Sequence, residues 1–266
     1  WTYDPKVRRT SERPYRCRGV VYAQMAQAVT PAPFTAPHRI YTVTGDRRLI
    51  ALDARDGQPC EQFGDRGTVT LAEHDRYGLE EVGSSSPPAV ANGVVVVGSS
   101  VIDFAYAEAP RGVIAAYDAI TGEPRWTFDP LQGATGVLRV GRNGHANSVV
   151  ALRLATGEVA WAFQLVHHDL WDYDTPAQPV LFDWQGAGGE RIPALAQVSK
   201  QGFVFVLDRR DGKPLFPVQE RAVPGSTIPG EQAWPTQPFP SQLLQLLSTR
   251  IKPDDAWGLS FWDRGR

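Results

Sequence analysis

The feature that most constrains the fold is a hairpin-like segment that occurs four times along the chain. Each copy has an apolar strand, a polar turn ending in glycine and a second strand, and in three copies an aromatic residue stands four positions after the glycine. Because glycine tolerates positive φ, such turns are suited to antiparallel hairpins. The copies are LIALDARDGQPCEQF (49–63), VIAAYDAITGEPRWTF (113–128), VVALRLATGEVAWAF (149–163) and VFVLDRRDGKPLFPV (204–218).

This repeat predicts an all-β fold, and more specifically a β-propeller. A large ring at one fixed position of each copy is suited to packing between neighbouring sheets, and propellers repeat a four-stranded sheet, or blade, around an axis. The alternative is a β-sandwich that contains similar hairpins by coincidence. We favour the propeller, because a sandwich does not require a constant offset between the turn and the ring.

The intervals between the turn glycines are uneven, and one is too short for a complete blade. Gly57 to Gly122 spans 65 residues and Gly157 to Gly212 spans 55, but Gly122 to Gly157 spans only 35. A four-stranded blade takes about 40–50 residues or more. We therefore expect a shortened blade around 127–148, within a single partial domain over residues 1–266 that forms an incomplete arc of about four blades.

Composition and charge exclude several classes of function. The chain has 266 residues and a net charge of −2, so no basic field for nucleic acid is indicated. No apolar run approaches the roughly 20 residues that a membrane helix needs. Because the sequence begins at Trp1 without a methionine, we expect a processed piece, a fragment or a segment of a longer protein. Whether Cys17 and Cys60 form a disulfide stays open, since the sequence shows neither the redox compartment nor the geometry.

The stretch LVHHDLWDYD, residues 165–174, concentrates the side chains most suited to chemistry. On a strand, His167 and His168 would point to opposite faces, which disfavours a shared metal ion, while Asp172 and Asp174 would share one face. The chain also lacks HExxH and CxxC patterns typical of zinc sites. Two interpretations stay open: side chains that fix a turn, or a carboxylate partly shielded from water by the neighbouring tryptophan that serves as a base.

Two further residues are candidates on weaker patterns. Lys200 stands next to Gly202 at the expected start of a strand. A lysine there is usually solvated, but it can also reach a ligand oxygen where the chain turns inward. Asp103 follows the apolar run GVVVVGSSVI. An aspartate in that position is often a turn former, and it can equally be a ligand for a hard cation such as Ca²⁺.

Taken together, these motifs resemble one family, over nearly the whole chain. The sequence is similar to the membrane-bound dehydrogenases of glucose, quinate and shikimate that depend on pyrroloquinoline quinone (PQQ), and most similar to the quinoprotein glucose dehydrogenases. HHDLWDYD followed by SKQG and VLDRRDG is the specific part. The ordered motifs are YRCRGV (15–20), RLIALDARDGQPCEQF (48–63), SSPPAVANGVVVVG (85–98), GVIAAYDAITGEPRWTFDP (112–130), VVALRLATGEVAWAFQLVHHDLWDYDTPAQPVL (149–181), SKQGFVFVLDRRDGKPL (199–215) and PTQPF (235–239).

The resemblance implies an eight-bladed β-propeller at the periplasmic face of the inner membrane, with an N-terminal membrane anchor that is absent from this sequence. PQQ and a divalent cation, Ca²⁺ or Mg²⁺, would lie on its axis. The substrate would be a sugar or cyclic polyol, and ubiquinone would receive the electrons. By position, Asp172 matches the catalytic base, Lys200 a lysine on the quinone oxygens, and Asp103 a metal ligand. Arg18 lies in a CRG turn expected near the cofactor.

The sequence also departs from the family pattern. Phe104 stands where the family has an asparagine after the metal-site aspartate, and Pro14 replaces a histidine that contributes to substrate affinity. The segment 127–148 lacks the family's tryptophan that stacks on PQQ and its threonine near the metal. The alternatives are therefore an active dehydrogenase, a truncated and catalytically inactive propeller fragment, or a carbohydrate-binding propeller scaffold.

Overall fold

The computed structural model describes residues 1–7, 19–25, 36–71, 82–84, 86–101, 112–131, 145–241 and 244–246. Within these ranges every regular element is a β-strand, and the strands form six sheets, which confirms the all-β prediction. The chain divides into two compact units. The first comprises Trp1–Arg139 and Leu152–Val159, and the second comprises Val140–Ala151 and Ala160–Arg266.

The first unit contains two four-stranded antiparallel sheets, in the orders β1-β2-β3-β4 and β10-β9-β7-β6, and a small sheet of β5 with β8. Four-stranded sheets of this kind are the unit that the repeat predicts. The strands are β1 (Val21–Gln24), β2 (His38–Val43), β3 (Arg48–Asp53), β4 (Thr68–Thr70), β5 (Val82–Gly83), β6 (Ala89–Ala91), β7 (Val94–Gly98), β8 (Ser100–Val101), β9 (Ile114–Asp118) and β10 (Pro124–Phe128).

The second unit contains a three-stranded sheet in the order β13-β14-β15 and a two-stranded sheet of β16 with β17. A further hairpin, β11 with β12, forms a two-stranded sheet of its own, and the division between the units passes through it. The strands are β11 (Ser148–Leu152), β12 (Val159–Gln164), β13 (Val180–Gln185), β14 (Arg191–Val198), β15 (Val204–Asp208), β16 (Val218–Ala222) and β17 (Thr236–Pro240).

In the described part of the chain, the sheet of the third repeat has fewer strands than the two four-stranded sheets before it, and the shortened blade around 127–148 stays a prediction. Gly157, which ends the 35-residue interval from Gly122, is the turn glycine of the hairpin β11–β12, and two strands of this sheet are described. Residues 132–144 of this interval lie outside the described ranges. The described part of the chain thus agrees with an incomplete propeller. The assignment of residues 1–266 to one partial domain remains a prediction.

All four hairpin turns have the same hydrogen-bond pattern. The glycine N–H donates to the carbonyl oxygen four residues earlier, at 2.8–2.9 Å in every copy. That geometry needs a left-handed glycine, and the φ angles are 76° at Gly57, 75° at Gly122, 73° at Gly157 and 73° at Gly212. The positive φ expected from the sequence is confirmed at each copy.

The repeated tryptophans pack on the turn glycine of the next repeat. The ring of Trp126 lies so close to Gly157 that an added Cβ would meet it at 2.6 Å, and its Nε1–H donates to Leu154 O at 2.8 Å. Trp161 repeats both contacts with Gly212 and with Arg209 O, the latter at 2.9 Å. The predicted packing between neighbouring sheets is therefore confirmed. The hydrogen bond adds direction to the packing, because indole N–H has only donor capacity.

Two exceptions complete this pattern. Glu61 stands where the first repeat lacks a ring, and there Gly64 and Val69 pack on Gly122 instead, with Gly64 N–H donating to Thr121 O at 2.8 Å. Trp1 lies outside the four segments, yet its ring covers Gly57 and its Nε1–H donates to Ala54 O at 3.1 Å. The contact that the sequence assigns to the repeats thus begins before the first of them.

Each unit has its own hydrophobic core. The first is centred on β2 and β3, where alternation along β2 buries Tyr41 and Val43. The same face buries Arg39, whose guanidinium donates to the carbonyl oxygens of Ala36, Ala119 and Ile120 at 2.9–3.0 Å. A buried guanidinium requires such partners, because desolvation of a charge is costly. The second core is formed by Val149, Leu165, Val166, Leu195, Phe203, Phe205 and Leu207.

Cys60 is a buried, free thiol in the first core. Burial raises its pKa to about 11, so it remains protonated near neutral pH. Cys17 lies outside the described ranges. In the described part of the chain, no helix is long and apolar enough to cross a membrane.

Candidate active site

The loop that carries the candidate base follows β12 directly. Residues 165–174 form bends and irregular chain after Gln164, where β12 ends, so the argument from strand alternation does not apply to them. Its start is fixed by burial of Leu165 and Val166 and by the hydrogen bond from Leu165 N–H to Asn147 O at 2.8 Å. Because alternation does not apply to a loop, the orientation of its histidines and aspartates is set by individual hydrogen bonds.

His167 fastens the loop to its surroundings. It is 1% exposed, with one ring nitrogen 2.7 Å from Gln164 Oε1 and the other 2.8 Å from Glu220 Oε1. The Gln237 side chain accepts from the backbone N–H of His167 and donates to its carbonyl oxygen. His168, in contrast, is half-buried and has a φ of 42°. The two histidines thus differ in environment, and His167 has the contacts of a structural residue.

Asp169 shapes the tip of the loop. Its carboxylate accepts the backbone N–H groups of Trp171 and Tyr173 at 2.9 and 2.7 Å, and the Asn147 side-chain amide at 2.8 Å. Aspartate favours turns because its carboxylate can satisfy nearby backbone donors in this way. The chain between these contacts contains Asp172, whose φ of 61° lies in the left-handed region. These hydrogen bonds of the Asp169 carboxylate, called the Asp169 cap below, therefore support the backbone conformation that presents the Asp172 side chain.

Asp172 and Lys200 are brought together although 28 residues separate them. Lys200 lies in the turn between β14 and β15 rather than at a strand start, and its Nζ is 2.7 Å from Asp172 Oδ2. The Asp172 side chain is 72% exposed and that of Lys200 47% exposed, so both groups are accessible to a ligand. A charge-assisted hydrogen bond of this length fixes the two groups relative to each other.

Asp174 completes a three-charge cluster. Its Oδ2 is 3.5 Å from Lys200 Nζ, and its backbone carbonyl accepts the Lys200 N–H at 3.1 Å. The hydrogen bond with Asp172 is the largest cause that raises the pKa of Lys200, followed by the charges of both aspartates against an opposing effect of burial. Lys200 is therefore an ammonium at neutral pH. Both carboxylates lie near the same ammonium, although alternation does not place them there.

The donor chemistry of Lys200 fits a quinone. An ammonium has three N–H donors, and the two aspartates account for two of them. The remaining donor can bind a carbonyl or carboxylate oxygen of a ligand, while Asp172 supplies an exposed acceptor beside it. The cluster therefore combines a hydrogen-bond donor for a cofactor oxygen with a carboxylate that can accept a proton.

The structure does not describe the other predicted site residues. Arg18, Asp103 and Phe104 lie outside the described ranges. Among the residues that are described, no three His, Cys, Asp or Glu side chains are grouped so that they could hold a metal ion. Sequence reasoning missed the supporting roles of Asn147 and Gln237, because neither stands in a recognisable motif and both act through the folded chain.

Comparison with known proteins identifies the family of the chain. The family model for the β-propeller domain of PQQ-dependent glucose/ethanol/alcohol dehydrogenases matches residues 1–137 and 132–266. The glycerol dehydrogenase large subunit of Gluconobacter oxydans (strain 621H) is 37% identical over 92% of this chain and 39% of its own length. The quinate/shikimate dehydrogenase (quinone) of Acinetobacter baylyi is 35% identical over 97% of this chain and 39% of its own length. The quinoprotein glucose dehydrogenase of Escherichia coli (strain K12) is 33% identical over 99% of this chain and 39% of its own length.

Solved structures support the same fold. A europium-containing methanol dehydrogenase superposes with a TM-score of 0.55 at 23% identity, over 76% of this chain and 42% of the other. The quinohemoprotein alcohol dehydrogenase from Comamonas testosteroni superposes with a TM-score of 0.53 at 23% identity, over 78% of this chain and 37% of the other. The chain spans about two fifths of the length of the relatives it matches, 39% in each of the three above. The chain belongs to the family of PQQ-dependent glucose/ethanol/alcohol dehydrogenases with a β-propeller domain.

Proposed function

We propose that this chain forms the part of a quinoprotein dehydrogenase that binds PQQ and accepts the substrate proton. The observation that carries the proposal is the contact of 2.7 Å between Lys200 Nζ and Asp172 Oδ2, both within the part of the chain that the family model matches. The substrate class is a sugar or cyclic polyol, and its relatives act, by their names, on glycerol, quinate or shikimate, and glucose. Ubiquinone is the proposed electron acceptor.

The two residues divide the work between a donor and an acceptor. Lys200 donates a hydrogen bond to a quinone oxygen and so orients the ring, while Asp172 accepts the proton of the substrate hydroxyl at Oδ1 or Oδ2. Bound PQQ supplies the two-electron acceptor for the hydride. Protonation of Asp172 weakens its ion pair with Lys200. The Asp169 cap keeps the carboxylate in place throughout.

Two further assignments rest on the family resemblance. Asp103 is a proposed ligand of a divalent cation, Ca²⁺ or Mg²⁺, which would polarise the quinone carbonyl as a Lewis acid. Arg18 is proposed to lie near PQQ. The proposed location is the periplasmic face of the inner membrane, where the full-length protein would be anchored.

The test combines cofactor binding with turnover. PQQ is titrated into the purified protein with Ca²⁺ or Mg²⁺, binding is followed by tryptophan fluorescence, and dye reduction is then measured with glucose, quinate, shikimate and glycerol. Lys200→Ala should abolish PQQ binding. Lys213→Ala is the matched control, because Lys213 forms an ion pair of similar geometry with Asp211, 2.6 Å from Nζ to Oδ2, on a hairpin turn of the same unit.

The outcomes separate the alternatives. Saturable PQQ binding that depends on Lys200, together with dye reduction, supports the dehydrogenase. Binding without turnover identifies an inactive fragment that keeps its cofactor site. No PQQ binding by a folded protein contradicts the proposal and leaves a carbohydrate-binding scaffold.

A further inference from the structure

Asp174 has two contacts with Lys200 that the ion pair with Asp172 does not explain. Its backbone carbonyl accepts the Lys200 N–H at 3.1 Å, which joins the loop after β12 to the turn between β14 and β15. Its carboxylate lies 3.5 Å from Lys200 Nζ, longer than the 2.7 Å contact made by Asp172. The lysine thus has one strong partner and a second acidic partner within reach.

This arrangement becomes important when Asp172 is no longer charged. A carboxylate that has accepted a proton attracts an ammonium far less than the ion does, so Lys200 would lose its main partner at that moment. A flexible lysine side chain loses conformational freedom when it is held in one position, and without a charged partner it would regain that freedom. Asp174 is placed to take over the ammonium without any movement of the backbone.

We propose that Asp174 is a positioning residue, a reserve partner that holds the Lys200 ammonium in the site while Asp172 carries the substrate proton. The inference rests on the proposed function of Asp172 and Lys200. It assigns Asp174 no contact with the substrate or the reacting atoms. Its distinctive consequence is conditional: the Asp174 carboxylate matters little while Asp172 is charged and much more when Asp172 is neutral.

Asp172→Asn imitates the neutral state permanently, which allows a test without cofactor. The rate at which acetic anhydride labels Lys200 is measured by mass spectrometry in four proteins: the unmodified chain, Asp172→Asn, Asp174→Asn and the double variant. A lysine released from an ion pair has more neutral amine and reacts faster. Lys213, paired with Asp211 at 2.6 Å, reports the reagent concentration in every sample.

The expected result is non-additive. Asp174→Asn should change the labelling rate of Lys200 by less than about twofold in the unmodified chain, but raise it about three- to fivefold in the Asp172→Asn background, the range that a partly exposed ion pair allows. Asp174→Glu should keep the slow rate in both backgrounds. An equal factor in the two backgrounds, or no effect in either, would overturn the proposal.

Structural damage and failure of the proposed function are recognised separately. Asp183→Asn is the control for loss of an exposed carboxylate, since Asp183 lies on β13 and pairs with Arg191 at 3.0 Å. It should leave the labelling of Lys200 unchanged. In the PQQ-loaded protein, Asp174→Asn should lower kcat more than it changes KM, with recovery in Asp174→Glu. If PQQ does not bind while the labelling pattern holds, the dehydrogenase proposal fails, but Asp174 remains the reserve partner of Lys200 in this loop.

Discussion

At the scale of single residues, specific contacts hold Asp172 through both its flanking backbone and its carboxylate. Its left-handed backbone is uncommon for a residue with a side chain, although aspartate and asparagine tolerate it better than most. The Asp169 cap and the Lys200 ion pair act on opposite sides of this residue, one on its flanking backbone and one on its carboxylate. The sequence motif identifies the residue, and these contacts explain how its carboxylate is held.

Asp172→Asn should remove activity and leave the fold intact. Asparagine accepts the same backbone conformation but is not a base, so we expect turnover of the PQQ-loaded protein to fall about 10²- to 10⁴-fold. Thermal unfolding should be unchanged. Asp211→Asn is the matched control, since it also removes the carboxylate of a Lys ion pair. Turnover that survives in Asp172→Asn would assign the base elsewhere.

Cys60 should be inert in the native protein. Its pKa of about 11 leaves little thiolate at pH 8, and the side chain is 4% exposed. In a Cys17→Ser background, where Cys60 is the only thiol in the sequence, iodoacetamide should label it in denaturant and hardly at all before unfolding. Rapid labelling of the folded protein at pH 8 would show that this part of the core opens readily.

At the scale of elements, the contact between a tryptophan and the next turn glycine is the repeating unit of stability. It combines ring packing with a directed hydrogen bond, and it connects residues that the sequence separates by 28 positions for Trp126 and Leu154 and 48 for Trp161 and Arg209. The glycine contributes twice, through its φ and through the space left by its missing Cβ. These two roles can be separated by mutation.

Gly157→Ala should destabilise more than Gly93→Ala. Both glycines have positive φ, 73° and 77°, but an added Cβ would clash with Trp126 only at Gly157, since nothing lies within 4 Å at Gly93. We expect about 1 kcal/mol for the backbone effect at Gly93 and about 2–4 kcal/mol at Gly157 by urea denaturation. Trp126→Ala should relieve much of the extra cost in a double variant. Equal losses of stability at both glycines would contradict the packing of Trp126 on Gly157.

The hairpin turns should also make stability sensitive to acid. Hydrogen bonds from Arg55 and Arg210 lower the pKa of Asp53 and of Asp208. A carboxyl whose folded pKa is lowered contributes stability above its unfolded pKa of about 3.9, and the contribution is lost as the pH falls through the lower folded value. Asp208→Asn should therefore flatten the stability profile below about pH 4. Acid unfolding followed by circular dichroism checks this, and an unaltered slope would count against it.

At the scale of the whole molecule, the chain supplies part of a family fold and exposes apolar surface at a sheet edge. β13 lies at the edge of the three-stranded sheet in the described part of the chain. Its first two residues, Val180 and Leu181, are 64% and 60% exposed although they point to opposite faces. Edge strands with apolar side chains are templates for association. An incomplete propeller arc is expected to have such edges.

We therefore expect the 266-residue chain to self-associate when it is produced alone. Leu181→Lys should reduce the association measured by light scattering after size-exclusion chromatography, because a charge on an edge strand opposes pairing. Ile228→Lys is the control, since Ile228 is 61% exposed but lies in a loop. A monodisperse monomer of the unmodified chain would contradict the open-arc interpretation.

The sequence by itself determined the all-β class, the turn geometry at four glycines, the packing role of Trp126 and Trp161, and the shortened interval, because these depend on local φ preferences and on regular spacing. It also singled out Asp172 and Lys200, through family motifs. The tertiary structure decided that residues 165–174 form a loop, that His167 and Arg39 are buried with specific partners, and that Asp174 shares Lys200 with Asp172. These contacts join residues distant in sequence, so no local pattern encodes them, and only the packed chain brings their atoms within hydrogen-bond distance.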